Sequence, residues 1–265
     1  MTARTGTILF GVLRSQRRSI VLWAIAISAI ALLYSSFYPS IGAVKFEAMM
    51  ESMPPDLISA MGFEDMSSAA GYVSATVYSL LGAILTLVCA IGLGARLVAG
   101  QEEDGVLELE LASPISRGRA YAERLAVLWA TILAVVAVLT VVLLLLSVVL
   151  DLGLSVPNLL ASSLGLVLFA GALGSLAFAV GAATGRRTVG LGVASGVAVL
   201  AYMLSYIGPL IGGAWMEKVS PYYWYIGTKP LIYGADWAGY GMLAALAVVV
   251  IVAGVVPFRR RDLLV

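Results

Sequence analysis

The sequence predicts an all-α membrane protein with six transmembrane helices. Of its 265 residues, 61% are hydrophobic and 12% are charged, whereas soluble domains carry about 45–50% apolar and about 25% charged residues. Several runs of about 20 residues hold no charge, and a helix needs about that length to cross a bilayer. Arginine is also concentrated in alternate connections between these runs, which is typical of a chain that crosses a membrane repeatedly.

Six apolar runs qualify as spans, at about 19–38, 71–98, 122–150, 157–183, 188–207 and 237–258. A basic amphipathic stretch, residues 4–18, precedes the first run and predicts a helix on the inner leaflet; Pro39 is expected to end the first span. Residues 212–236 are rich in Trp and Tyr, which indicates a segment at the headgroup level or a broken helix that enters the membrane. We expect residues 1–265 to form one transmembrane domain.

The basic residues predict the orientation. With six spans, 13 of the 16 basic residues lie on one side, and only Lys45, Lys218 and Lys229 lie on the other. Because Lys and Arg favour the cytoplasmic side, both termini and the connection between the second and third spans are expected there. The net charge of +1 gives no indication of nucleic-acid binding.

Missing residue types exclude several kinds of chemistry. The chain has no histidine, which excludes His metal ligands and Ser-His triads, and with them the intramembrane proteases that need such residues. Its one cysteine, Cys89, has no intrachain partner for a disulfide. None of the three lysines lies in the phosphate-loop pattern G-x-x-x-x-G-K-[ST]. Any ATP hydrolysis therefore needs another chain.

The interiors of the six predicted spans hold no Asp, Glu or Lys. Charged groups at mid-membrane cost roughly 2.5–3.5 kcal/mol on insertion scales and are kept where function needs them, as in ion-coupled carriers. The sequence thus offers no titratable carrier, although coordination of Na⁺ by backbone groups alone remains an alternative.

The connection between the second and third spans, residues 100–117, holds five acids within nine residues, 102–110. Asp104 and Gly105 could cap a short helix that runs to Leu111 and ends before Pro114. The alternation Leu107-Glu108-Leu109-Glu110-Leu111 has the period of a strand instead. A further alternative is that the acids only pair with Arg117, Arg119 and Arg124.

Residues 103–117, EDGVLELELASPISR, resemble the pattern E-x-G-T-L-E-x-L-L-[AS]-x-P-[IV]-S-R of the ABC-2 type permeases, the membrane subunits of ATP-driven exporters. Val106 replaces the usual Thr, and Glu110 replaces a Leu. The order of elements along the whole chain is also similar to that family. Within the family, the chain is nearest to the bacterial exporter permeases for drugs and polyketide antibiotics.

This resemblance implies a coupling helix that is seated in a groove of a separate ATPase subunit. It assigns that contact to Glu103, Asp104, Gly105, Leu107, Glu108, Leu111, Pro114 and Arg117. It also implies that ATP and Mg²⁺ bind to the ATPase, with no cofactor in this chain, and that the chain pairs with a second permease, identical or homologous.

The resemblance further implies a pathway for a hydrophobic or amphipathic small molecule along the second and fifth spans. The hydroxyl groups available there are those of Tyr72, Thr76, Tyr78, Ser79, Thr86, Tyr202, Ser205 and Tyr206. Such groups also form hydrogen bonds between helices, so the sequence does not distinguish contact with a substrate from an interhelical bond. Two alternative functions are an ion-coupled secondary carrier and a permease-like scaffold or sensor that transports nothing.

Overall fold

The computed structural model describes residues 7–41, 54, 65, 67–105, 116–211 and 213–260. In chain order these residues form α1 (Thr7–Ile41), α2 (Ala69–Glu103), α3 (Arg117–Val149), α4 (Val156–Thr184), α5 (Arg187–Leu210), α6 (Ala214–Val219), α7 (Pro221–Ile226), α8 (Pro230–Tyr233) and α9 (Trp237–Arg260). Six of these helices are long and apolar enough to cross a membrane, and over the described ranges the prediction of six spans is confirmed. We call the end of the bundle with α6–α8 the outer end, and the opposite end, between α2 and α3, the inner end.

Two helix boundaries differ from the sequence prediction. The amphipathic stretch and the first span form one helix, α1, which contains Pro39 and ends at Ile41; no glycine or proline between residues 12 and 38 interrupts it. A proline this close to the end removes only one of the last backbone hydrogen bonds. Helix α3 begins at Arg117, before the apolar run, because the Ser116 hydroxyl accepts a hydrogen bond from the Arg119 N–H at 3.4 Å.

Helix α4 lies at the centre of the described bundle and contacts α2, α3, α5 and α9. In its most apolar stretch 72% of the residues are buried, compared with 17% in α5. Small residues make this position possible: a Cβ at Gly94 of α2 would meet the Gly174 carbonyl of α4, and a Cβ at Gly190 of α5 would meet the Ala177 carbonyl. Close contact of backbones is the usual way in which helices associate in lipid.

Helix α2 is continuous but contains two π-helical segments, Ser74–Leu81 and Arg96–Gly100. The wider turn of a π-helix changes which carbonyl groups have partners within the helix, and such segments are frequent at functional sites. The first segment faces α7 at the outer end, and the second precedes the acidic connection at the inner end.

The aromatic segment before the last span is broken into α6, α7 and α8, as the sequence predicts. Pro221 and Pro230 occupy first positions of α7 and α8, where a proline begins a helix without losing a hydrogen bond. The Ser220 hydroxyl caps α7 by accepting from the Tyr222 N–H at 3.1 Å, and it donates to the Ala201 carbonyl of α5 at 2.6 Å. This segment is therefore attached to the outer part of α5.

Candidate functional site

A cavity of about 500 Å³ lies between α2, α5 and α7. Helix α2 supplies one wall over residues 79–92, helix α5 supplies the other over residues 191–202, and α7 contributes Tyr222. The lining residues are Ser79, Leu80, Ala83, Ile84, Leu87, Val88, Ile91, Gly92, Leu191, Ser195, Ala198, Val199, Tyr202 and Tyr222.

The lining is apolar, with a few hydroxyl groups. Its polar side chains are Ser79, Ser195, Tyr202 and Tyr222, and no acidic or basic side chain occurs among the described residues that line it. Ligand sites are typically 300–1,000 Å³ and mostly apolar, with a few polar groups that orient the ligand. The cavity therefore suits an uncharged or weakly polar molecule with a large apolar surface.

The cavity is open along one side of the chain. Ile84, Val88 and Val199 line it, yet they are 49%, 52% and 59% exposed. A face of large exposed aliphatic side chains is compatible with lipid or with another protein surface. The two helices thus form a groove rather than a closed chamber.

Four tyrosines, which we call the tyrosine cluster (Tyr202, Tyr206, Tyr222 and Tyr225), lie at the outer end of this groove; Tyr202 and Tyr222 line it, whereas Tyr225 is fully buried and does not. The Tyr222 ring lies 5.3 Å from the Tyr202 ring and 5.6 Å from the Tyr206 ring, measured between centroids. The Tyr225 ring stacks on Phe169 of α4 at 5.1 Å. The aromatic segment is therefore packed on α4 and α5 at once.

The tyrosine cluster is also bonded to the π-helical segment of α2. The Tyr222 hydroxyl donates to the Ser79 carbonyl at 2.7 Å, and the Tyr225 hydroxyl donates to the Tyr78 carbonyl at 2.8 Å. Two consecutive carbonyls of the π-helix thus receive hydrogen bonds from two residues one turn apart on α7. Partners of this kind satisfy the backbone groups that an irregular helix exposes within a membrane.

A buried hydroxyl network joins three helices beside this point. The hydroxyls of Tyr78 and Ser163 are 2.8 Å apart, and Thr140 donates to Ser163 at 2.7 Å. Tyr78 is fully buried. The network holds α2, α3 and α4 together behind the cavity wall.

Of the eight hydroxyl residues that the sequence suggests for the pathway, Ser79 and Tyr202 line the cavity. Tyr206 lies beside it through its contacts with the rings of Tyr202 and Tyr222. The other five make contacts within the protein: Tyr78 in the network above, Thr76 to the Tyr72 carbonyl, Thr86 to the Gly82 carbonyl, Ser205 to the Ser220 hydroxyl, and Tyr72 against the Tyr38 ring.

Sequence reasoning missed Ser195 and Tyr222 as lining residues. Ser195 lies seven positions before Tyr202 and shares its helix face with Leu191, Ala198 and Val199, a helical spacing that could have identified it. Tyr222 gave no such signal, because only the fold of α6–α8 brings it to the cavity.

At the inner end, α2 closes with three acids, Glu102, Glu103 and Asp104. Asp104 has helical backbone angles and Gly105 has a φ of +70°, so these residues end α2, as a left-handed glycine commonly does. The prediction that Asp104 and Gly105 cap a short helix through Leu111 concerns residues that follow Gly105 and lie outside the described part of the chain. Leu107, Glu108, Leu111 and Pro114, together with the predicted coupling helix, lie outside the described residues.

Glu103 and the neighbouring Gln101 connect the end of α2 to two other helices. The Glu103 carboxylate accepts a hydrogen bond from the backbone N–H of Arg187, the first residue of α5, at 2.8 Å. The Gln101 side-chain oxygen accepts from Nε of Arg124 of α3, also at 2.8 Å, and Arg124 is fully buried.

Arg117 and Arg119 lie in the first turn of α3. Arg117 is its first residue, and Arg119 pairs with Glu123 one turn later at 2.8 Å. The bond from Arg124 to Gln101 therefore joins the two helices on either side of the acidic connection, whereas the Arg119–Glu123 pair lies within α3.

Residues 10–259 match the family model described as multidrug efflux system permease Rv1217c, C-terminal domain. No curated protein matches the chain. The match covers far more than half of the sequence and includes all six long helices, the cavity and both of its walls. It agrees with the resemblance to the ABC-2 type drug exporter permeases, and with a multi-pass protein of the bacterial cell membrane. The chain belongs to this family of multidrug efflux permeases.

Proposed function

We propose that this chain is the membrane half of an ATP-driven exporter, which moves a hydrophobic or amphipathic small molecule by alternating access. The observation that carries the proposal is the apolar groove between α2 and α5, which the rings of Tyr202 and Tyr222 close at the outer end. Alternating access needs a site whose two walls can separate at one end while they remain together at the other.

The lining favours a weakly polar substrate of drug-like size. A charged substrate would lose its hydration in an apolar groove whose lining offers no side chain of opposite charge, and this costs several kcal/mol. A planar aromatic molecule can stack on tyrosine rings and bury apolar surface on Ile84, Leu87 and Val88.

The energy source is a separate ATPase subunit, which holds ATP and Mg²⁺ and acts on the acidic connection between α2 and α3. The absence of a phosphate loop and of acids inside the spans supports this division of labour. The open side of the groove suits a second permease, identical or homologous, whose own groove faces this one. Two halves together would enclose the pathway.

The test is transport in inside-out vesicles that contain the chain with an ATPase from a neighbouring gene. Uptake of a fluorescent apolar dye should require hydrolysable ATP and should persist when an ionophore collapses the ion gradients. Uptake that follows the ion gradient without ATP would indicate a secondary carrier. A wild-type complex with no uptake of any dye in a broad panel would favour a scaffold or sensor.

A matched pair of variants on α5 ties transport to the groove. Ser195→Trp places an indole in the groove, whereas Leu200→Trp places one on a side of α5 that does not line it, at a residue that is 59% exposed. We expect S195W to lower uptake at least about tenfold, which corresponds to about 1.4 kcal/mol of binding. L200W should transport like the wild type, and equal loss in both variants would contradict the assignment of the site.

A further inference from the structure

The inner end of α2 is joined directly to the first turn of α5. The Glu103 carboxylate accepts the Arg187 N–H at 2.8 Å, although 84 positions separate the two residues. The two segments are also in close proximity: a Cβ at Gly100 would lie 3.6 Å from Cδ of Arg187. The Gly190 N–H bonds to the Arg186 carbonyl at 3.3 Å, so Arg187 is the first helical position of α5.

Electrostatics explains why a carboxylate occupies this point. The C-terminal end of α2 carries Glu102, Glu103 and Asp104, and the partial negative charge of a helix C-terminus disfavours acids there. The N-terminus of α5 has the opposite polarity and free N–H groups, which favour a carboxylate. Glu103 therefore lies between two helix ends, and α5 supplies the interaction that offsets the unfavourable one from α2.

The two joined helices are the two walls of the groove. Helix α2 contributes residues 79–92 and α5 contributes residues 191–202. The bond lies at their inner ends, directly before the acidic connection. A displacement of that connection therefore reaches α5 through Glu103 as well as α2 through the backbone.

We propose that Glu103 is a positioning residue that makes α2 and α5 move together when the connection is displaced. This inference rests on the proposed function, in which an ATPase displaces the connection. It gives Glu103 a role inside this chain, and leaves the contact with the ATPase to the acids that follow Gly105, such as Glu108.

The test removes the donor or the acceptor separately. Arg187→Pro deletes the backbone N–H at a first helical position, which proline tolerates, whereas Arg187→Ala keeps that N–H and deletes only the side chain. Glu103→Ala deletes the acceptor, and Glu103→Gln keeps an oxygen that can accept. All four are made in a Cys89→Ser background that carries spin labels at R96C and T188C, both at exposed positions.

Two readouts are recorded for each variant, in the purified complex with its ATPase: the distribution of label distances without nucleotide, and dye transported per ATP hydrolysed. R187P and E103A should broaden the distance distribution and lower the transport ratio at least about fivefold, the lower end of usual coupling between sites. R187A should match the wild type in both readouts, and E103Q should lie between E103A and the wild type.

Equal behaviour of R187P and R187A in both readouts would overturn the proposal, because the Arg187 N–H would then have no effect on the position of α5 relative to α2. A loss of transport in E103Q and E103A with unchanged distances would also overturn it, since the charge would then act on the ATPase. If R187P does not fold, the comparison of E103A and E103Q with the wild type still tests the proposal. If the wild-type complex shows no ATP-driven transport, while R187P and E103A still broaden the distribution of label distances, the proposed function is refuted. The bond between α2 and α5 then keeps its positioning role.

Discussion

The hydroxyl of Tyr222 is expected to keep the outer end of the groove closed. It donates to the Ser79 carbonyl at 2.7 Å from a side chain that is 4% exposed, and its ring lines the cavity. Tyr222→Phe preserves the ring and removes this hydrogen bond. This hydrogen bond is partly buried, and the loss of such a bond costs about 0.5–1.5 kcal/mol. If the bond is already absent in the open state, the opening equilibrium should rise by about 2- to 13-fold.

The assay measures access of water-soluble reagents to the cavity wall. Ala83 lines the cavity and is 1% exposed, so a cysteine there (A83C in a Cys89→Ser background) reports opening through its reaction rate with a membrane-impermeant maleimide. The rate should rise in Y222F by a factor within that range, provided that opening is fast relative to labelling.

Tyr225→Phe is the matched control. Tyr225 makes an equivalent bond to the Tyr78 carbonyl at 2.8 Å, but it is fully buried and does not line the cavity. Y225F should lower the thermal unfolding midpoint about as much as Y222F while leaving the labelling rate near the wild-type value. An unchanged rate in Y222F, or the same increase in both variants, would refute this reasoning.

Three further predictions concern packing, a surface ion pair and the connection. Gly94→Val should lower the free energy of unfolding by about 1–3 kcal/mol, because its side chain would meet the Gly174 carbonyl. The measurement is thermal unfolding in detergent. Gly192→Val is the control, since a Cβ at Gly192 meets nothing within 4 Å. Lys229→Ala should lower the free energy of unfolding by less than about 1 kcal/mol in the same measurement, since the side chains of Lys229 and its partner Asp65 are 30% and 35% exposed. A larger loss of stability would contradict the assignment of this pair to the surface. Glu108→Lys should weaken co-purification with the ATPase without changing membrane insertion, and undiminished co-purification would speak against a contact at that residue.

Composition and charge pattern predict much of the fold. Spans are defined by runs of apolar residues, because a bilayer leaves no other place for them, and the six described long helices agree with that prediction. The broken segment before α9 could also be predicted, from its prolines and aromatic residues. Helix ends were less predictable: Ser116 extends α3 into polar sequence, and α1 continues past Pro39 to Ile41, where the sequence predicted an end.

The candidate site could be predicted only as a pair of helices. Hydroxyl groups on the second and fifth spans were visible in the sequence, but a hydroxyl on a helix can face a ligand, a neighbouring helix or its own backbone. Tertiary contacts decided between these: Ser79 and Tyr202 line the cavity, whereas Tyr78 is buried against Ser163.

The sequence by itself determined that this chain lies in a membrane, crosses it six times and carries no phosphate loop, because these properties depend on local composition and on short motifs. Only the tertiary structure decided that Tyr222 reaches α2 across 143 positions of sequence and that Glu103 caps α5 across 84. Both contacts join backbone groups to side chains far away in the chain. A backbone carbonyl or N–H has no residue type that could mark it in a sequence, so its partner becomes known only once the helices are packed.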